Sequence, residues 1–238
     1  MKKLFALTLL VLMAAISLSA DVYVKQKTHT DSIMGQPARD DVMEQWIGDN
    51  VFATVSPDQS FIVDLKKNLM YMVNHKSKTY VESTLPLDFT KLLPPEMAAM
   101  ASMMKMTATV NPTTQTKKIG QWNCTGYDVT MTVMGMPMKM MLWASTDVPF
   151  DVNQFNAKIW GNVLKGQMML DDASVKEMMK VKGFQIASEM SGEMMGFKIN
   201  TTSEVLEITK KNPPANIYAP PAGYAKKDKL SAEDLQKR

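Results

Sequence analysis

The sequence is short of the residues that carry most protein chemistry. It holds one cysteine and two histidines in 238 positions. With Cys124 alone no intramolecular disulfide can form, and the thiol is expected to be buried and inert or else to join two copies of the chain. His29 and His75 stand far apart in sequence with no cysteine beside them, a thin basis for zinc, so turn or strand-edge positions are expected for both. No nucleophile elbow, no Gly-rich loop after a strand and no HExxH occurs. The carboxylate pairs Asp40-Asp41, Asp171-Asp172 and Glu189 with Glu193 lie in hydrophilic segments, where helix starts and solvated turns account for them. The expectation is a protein that is not an enzyme, has no catalytic residue and uses no cofactor.

Charge of one sign is lacking too. Lys and Arg number 27 against 24 Asp and Glu, and without Lys2 and Lys3 the 27 becomes 25, one above balance. Such a chain gives no electrostatic case for nucleic acid or an anionic membrane. The short groups Lys117-Lys118, Lys210-Lys211 and Lys226, Lys227, Lys229 read as solvated faces.

The one long apolar run belongs to the opening MKKLFALTLLVLMAAISLSA. Two lysines before it and Leu18-Ser19-Ala20 after it make a secretory signal peptide, with cleavage expected after Ala20. Nothing downstream is apolar enough for stable membrane insertion, and no cysteine follows the cut to take a lipid. The chain is thus expected to be periplasmic or secreted, and soluble. It divides into a signal peptide over 1–20, one domain over 21–225 and a charged, fraying tail over 226–238.

What the sequence has is methionine, 24 in all and 22 beyond Ala20. MTVMGMPMKMM, from Met131 to Met141, holds six in eleven residues. Thioether sulfur suits Cu(I), and Met134, Met136, Met138 and Met140 share the alternating spacing that sets sulfurs on one side of a strand. Yet Met70, Met72, Met168, Met169, Met194, Met195 and the 97–106 patch spread the residue widely. A metal site concentrates its ligands, so apolar lining is the preferred reading and a Cu(I)-binding protein the alternative.

Short runs separated by turn formers mark strands: an alternating DVYVKQKTHT, then VMEQWI, VFATV, SFIVD, LMYMVN and KTYVE, with GDN, SPDQ, LKKN and HKSK between them, an antiparallel meander that can solvate one face and bury the other. Pro95 opens a helical patch with Met97, Met100, Ala101 and Met104 on one face. Strands follow at MTATV, QTKKI, YDVTMTV and MKMMLWAS. Asp151 and Gln154 fit a capping box before a stripe of Val152, Phe155, Ile159 and Val163. A shorter helix runs from Asp172 to Val181, ended by Gly183, and FQIAS, MGFKI and VLEIT close the series. The Pro-rich stretch after Asn212 should pack as an extended strap.

Several stretches, HTDSIMGQP, DLKKNLMYMVNHKSKTYVE, KKIGQWNCTGYDVT, LWASTDVP and IYAPPAGYAKKD, resemble the secreted bacterial domain-of-unknown-function family 4412. At the level of shape the chain looks like the periplasmic lipoprotein carriers, an antiparallel half-barrel closed on its concave side by helices around an apolar cavity. The expected fold is therefore mainly β (α+β): a curved antiparallel sheet or half-barrel with helices around 95–104 and 151–181 on the concave face. The expected function is noncatalytic binding or carriage of an apolar ligand, such as a lipid or lipidated chain. A structural or protein-interaction module of the cell envelope is the alternative. Trp46, Met72, Met100, Met104, Trp122, Met138, Met140, Phe155 and Ile159 are the candidate cavity residues.

Overall fold

The turn formers of the first third break the chain into short runs, and each run pairs antiparallel with the next. A computed structural model describes residues 20–32, 36–101, 106–133, 135–194, 196–231 and 234. The leader up to Ser19, Met104 and Met134 lie outside them. The runs become β1 (Asp21–Thr30), β2 (Arg39–Ile47), β3 (Val51–Val55), β4 (Gln59–Asp64), β5 (Leu69–Asn74) and β6 (Thr79–Thr84). Asn68 sits at φ 57 in the LKKN turn, a conformation its short side chain tolerates better than most. Pro95 opens α1 (Pro95–Ala101), where its missing N–H costs nothing.

The second half has longer strands: β7 (Thr107–Ile119), β8 (Trp122–Val133), β9 (Met136–Ser145), β10 (Phe184–Met194) and β11 (Phe197–Lys211). MTATV and QTKKI, expected as two strands, are one, with a register shift between Pro112 and Thr116. Proline survives there because β7 is an edge strand and loses no ladder bond. Between β9 and β10 the chain turns helical. Asp151 accepts the Gln154 N–H at 3.0 Å and starts α2 (Val152–Phe155), a π-helical turn (Asn156–Trp160) and α3 (Gly161–Met168). Asp171 likewise accepts the Ser174 N–H at 2.8 Å and caps α4 (Asp172–Met178). Gly183 comes later than the helix end expected for it. Its φ is 109, and a Cβ there would stand 2.6 Å from the Ser145 backbone, so it serves the entry into β10.

The strands of the described residues, with β12 (Ala225–Lys227) after the strap, join one sheet in the order β12-β6-β5-β4-β3-β2-β1-β11-β10-β9-β8-β7. This overturns the half-barrel. The sheet is open, neither closed nor strongly curled, and it is mixed, because β12 runs parallel to β6. The physical reason lies at its ends. A closed barrel satisfies edge strands by pairing them with each other, whereas here each edge is covered separately. On β7, the Ala108 N–H donates to Ser174 Oγ at 2.9 Å and the Val110 N–H to Glu177 Oε2 at 3.0 Å, both from α4. On β6 the short β12 covers the edge, fixed by the Ala225 N–H to the Lys78 carbonyl (3.0 Å) and by the Lys226–Glu82 ion pair (2.8 Å). Lys226 and Lys227 of the charged tail belong to this strand, and Leu230 and Asp234 after it are buried.

Over β1–β6 alternate residues enter different cores. Val22, Val24, Ile47, Phe52, Phe61, Val63, Met70, Met72 and Val81 pack with Phe155, Ile159 and Val163 of the helices. Tyr23, Trp46, Ala53, Ile62, Tyr71 and Val73 form the other core, covered by Ile217, Tyr218 and Tyr224 of the strap. A third cluster joins Val129, Met131, Met140 and Leu142 to Leu164, Leu170 and Met178. Among the described residues no helix is long and apolar enough to cross a membrane.

Candidate functional site

Helix α3 reaches the sheet through a glycine. A Cβ at Gly166 would lie 2.3 Å from the Phe61 ring, so only the absence of a side chain lets the helix come this close. The same turn fixes the helix to β3, where Gln167 Nε2 donates to Thr54 Oγ1 at 2.7 Å. Beside this contact lies a cavity of about 500 Å³, bordered by Met43, Phe61, Met72, Val81, Met168 and Leu230. A second cavity of about 180 Å³ continues under Phe155 and Trp160 and shares Met43, Thr54, Gln167 and Met168 with the first.

The far wall of the larger cavity comes from the tail. Leu230 is 2% exposed, and its N–H donates to the Leu92 carbonyl at 2.7 Å. Asp234 accepts from Lys227 Nζ at 2.7 Å, from the Ser231 N–H at 2.7 Å, from Ser231 Oγ at 2.8 Å and from Asn74 Nδ2 at 2.9 Å. Burial alone would raise this carboxyl. The Lys227 ammonium and the hydrogen bonds from Ser231 and Asn74 outweigh that and hold it at about 2. Among the described residues, Lys227 and Asp234 are the only charged ones lining the two cavities, and they neutralise each other.

The structure separates the residues expected around one cavity. Met72 lines the larger cavity and Phe155 the smaller. Ile159, 1% exposed, packs in the same core without lining either. Trp46 is turned to the strap face, 4.9 Å from the Tyr23 ring, because its alternation along β2 opposes that of Gln45 and Ile47. Trp122, 5% exposed, packs with Cys124 and Trp143 in the core. Met138 and Met140 are buried, Met138 opposite Met131 and Met140 opposite Val129 and Met190. Met100 lies in α1, and its side chain, like Met104 and Met134, lies outside the described residues. Of the alternative soft-metal set, Met136 is half-buried and Met140 packs among aliphatic side chains.

Sequence reasoning missed Met43, Phe61, Gln167, Met168, Leu230 and Asp234. Two signals pointed to them: a glycine inside an amphipathic helix, which marks close approach, and a leucine inside a charged tail.

The histidines occupy separate places. His29 is exposed and bonds Asp40 at 2.8 Å, which pushes its pKa up. His75 Nε2 lies 2.7 Å from Ser60 Oγ and its Nδ1 lies 3.2 Å from the Tyr224 hydroxyl. A serine beside a histidine is the start of a nucleophile pair, but Ser60 is 8% exposed and the third member is a strap phenol rather than a carboxylate. Burial lowers the His75 pKa, and Asp58 opposes that only in part. Burial raises the Cys124 thiol, which contacts the Trp122 carbonyl at 3.7 Å.

No curated protein sequence matches the chain. Three solved structures are similar to it at low identity. PNGF-II shares 12% identity over 91% of this chain and 32% of that one, with a TM-score of 0.44, so the chain spans about a third of its length. A putative outer membrane lipoprotein-sorting protein domain from Vibrio parahaemolyticus shares 7% over 84% of this chain and 89% of that one, at 0.30. A DUF1329 family protein from Desulfovibrio piger ATCC 29098 shares 9% over 85% and 90%, at 0.21. Likeness at this level says nothing of ligand or mechanism. The sequence itself says more: the domain of unknown function DUF4412 matches residues 39–224, from the start of β2 to the strap tyrosine that meets His75, and the chain belongs to that family.

Proposed function

We propose that the chain is a noncatalytic binding protein of the cell envelope that holds an apolar molecule, a lipid or acylated chain, between its helices and its sheet. The observation that supports this reading is the cavity of about 500 Å³ beneath α3, bordered by Phe61, Met72, Val81, Met168 and Leu230. Such a space suits a chain-like guest, because pockets gain affinity from apolar area at roughly 25 cal/mol per Å² and need few polar contacts. Met43, Met72 and Met168 on the wall adapt their rotamers to guests of different shape. The leader MKKLFALTLLVLMAAISLSA supports an envelope location for the protein that remains after its removal.

Native mass spectrometry of gently purified protein, followed by organic extraction, tests this. A reproducible lipid mass, or uptake of an acyl probe that Phe61→Trp reduces, is the expected result. Protein that is always empty and takes up no acyl probe would favour a solid envelope module that works through its outer surface.

A further inference from the structure

The sheet floor of the cavities is not purely apolar: among Met43, Phe52, Phe61 and Leu142 it carries neutral polar side chains. Across five neighbouring strands, from β3 to β10, run Thr54, Gln45, Gln26, Ser203, Ser188 and Gln185. They are linked in small groups: Gln45 Nε2 to Gln26 Oε1 at 2.9 Å, Ser188 Oγ to Ser203 Oγ at 2.8 Å, and Gln185 Nε2 to Ser188 Oγ at 3.3 Å. Gln26, Gln45, Thr54 and Gln185 line the smaller cavity, and Thr54 also lines the larger one. Above them stand Phe155, Trp160 and Met168 of the helical segment. Among the described residues, none that borders the smaller cavity is charged.

A core filled solid has no use for such a floor. Valine or leucine at these strand positions would pack without the cost of burying amides. A glutamine also carries more donors and acceptors than one bond consumes. The Gln45–Gln26 contact uses one amide's donor and the other's carbonyl, which leaves the Gln26 amide and the Gln45 carbonyl as polar atoms beside the space. An ionised guest group would be stripped of water there with no counter-charge within the smaller cavity, and the one ion pair, Lys227–Asp234, is closed on itself at 2.7 Å.

Resting on the apolar-ligand reading, we infer that the ligand joins its apolar body to an uncharged hydrogen-bonding group, an amide, ester or hydroxyl, which lies over Gln26 and Gln45 while the apolar part fills the space beneath Met168 and Phe61. Carboxylates and other ionised head groups are selected against.

A displacement series on the whole protein decides it. The competitors against a fluorescent acyl probe are dodecanamide, methyl dodecanoate, dodecanol, dodecanoate and dodecane, at about pH 8, where the carboxyl is ionised. The neutral polar members should bind about tenfold or more tighter than dodecanoate and than dodecane. In the double variant Gln26→Leu with Gln45→Leu, both partners of one hydrogen bond are removed together, so the fold is retained and the advantage over dodecane should vanish. Should that variant fail to fold, the series on the unaltered protein still gives the answer. Equal binding of dodecanoate and dodecanamide, or of dodecane and dodecanamide, overturns this inference while leaving the apolar-ligand reading intact. Displacement by none of the five removes both.

Discussion

The sheet has two buried faces over β1–β6, and they are built differently. The face under the helices is made of aliphatic, methionine and phenylalanine side chains with space among them and a neutral polar floor. The face under the strap is made of rings that touch one another: Tyr23 with Trp46 at 4.9 Å, Tyr71 with Tyr80 at 6.2 Å, and Lys211 Nζ 3.9 Å above Tyr23. Tyr218 donates to Asp21 Oδ2 at 2.5 Å, and Tyr224 meets His75. Helices carry their own hydrogen bonds and can stand off from the sheet, leaving a cavity. An extended strap has no internal ladder, so its hold depends on side-chain bonds and close ring packing. The difference leaves space on one face and close ring contacts on the other.

The largest test of this contrast is Phe52→Ala. Phe52 is 0% exposed on the helix side with its ring 5.9 Å from that of Phe155, while its neighbour Ala53 faces the strap. The substitution should cost about 3–5 kcal/mol in urea unfolding, the usual loss for a fully buried ring. A cost below about 1 kcal/mol would mean that the helix side is not the main core.

Next comes the clasp that borders the cavity. Asp234→Asn should cost about 1.5–3 kcal/mol, because four donors lose a carboxylate. The pH dependence has a definite sign. The carboxyl sits at about 2 in the folded chain and near 4 in the unfolded one, so the folded state binds fewer protons in that window. Its stabilisation is complete above about pH 4 and is lost as pH falls toward 2. Wild type and variant should therefore differ in thermal midpoint at neutral pH and converge in strong acid. A constant gap through that range would place the effect in packing instead.

Much of the contrast was present in the sequence. VFATV, SFIVD and LMYMVN are apolar almost continuously, a mark of strands covered on both faces, whereas the short turns alone suggest a meander with one solvated face. The turn formers placed the hairpins, and Asp151 placed the helical segment. Sheet closure was not legible, because a two-residue period says which way a side chain points and nothing of whether edge strands meet. Nor was the clasp: Asn74 and Asp234 are 160 positions apart, and no local pattern links them. Trp46 was misplaced for a related reason. A large aromatic fits either face of a doubly covered strand, and only the alternation with Gln45 and Ile47 decides which.

A smaller effect is expected on the strap side. Tyr218→Phe removes the bond to Asp21 and should cost about 1.5 kcal/mol. This face should also respond to acid in a different window from the clasp. Burial lowers the His75 pKa below its ordinary 6.5, so the unfolded chain binds the proton more readily. Stability contributed by the neutral ring is present above that value and declines as pH falls through it. Protection of β4 and β5 amides, taken relative to their intrinsic exchange rates at each pH, should fall below about pH 6.5, and His75→Gln should flatten that response.

The smallest effect should come from the methionines that first draw attention. Met138→Leu and Met140→Leu keep size and apolarity at buried sites, and should each cost less than about 1.5 kcal/mol. If the sulfurs serve only as adaptable packing, Cu(I) titration under reducing conditions should look the same before and after the exchange. Met140 lines neither cavity, although its cluster neighbours Leu142 and Met178 border the smaller one, so probe uptake should be unaffected as well. Met168→Leu is the informative contrast, because that side chain borders both cavities. Leucine lacks the third rotatable bond, so this variant should narrow the range of acyl lengths accepted while leaving stability within the same limit. Tight, stoichiometric Cu(I) binding lost with Met138 and Met140 would instead give the sulfurs a role that packing does not explain.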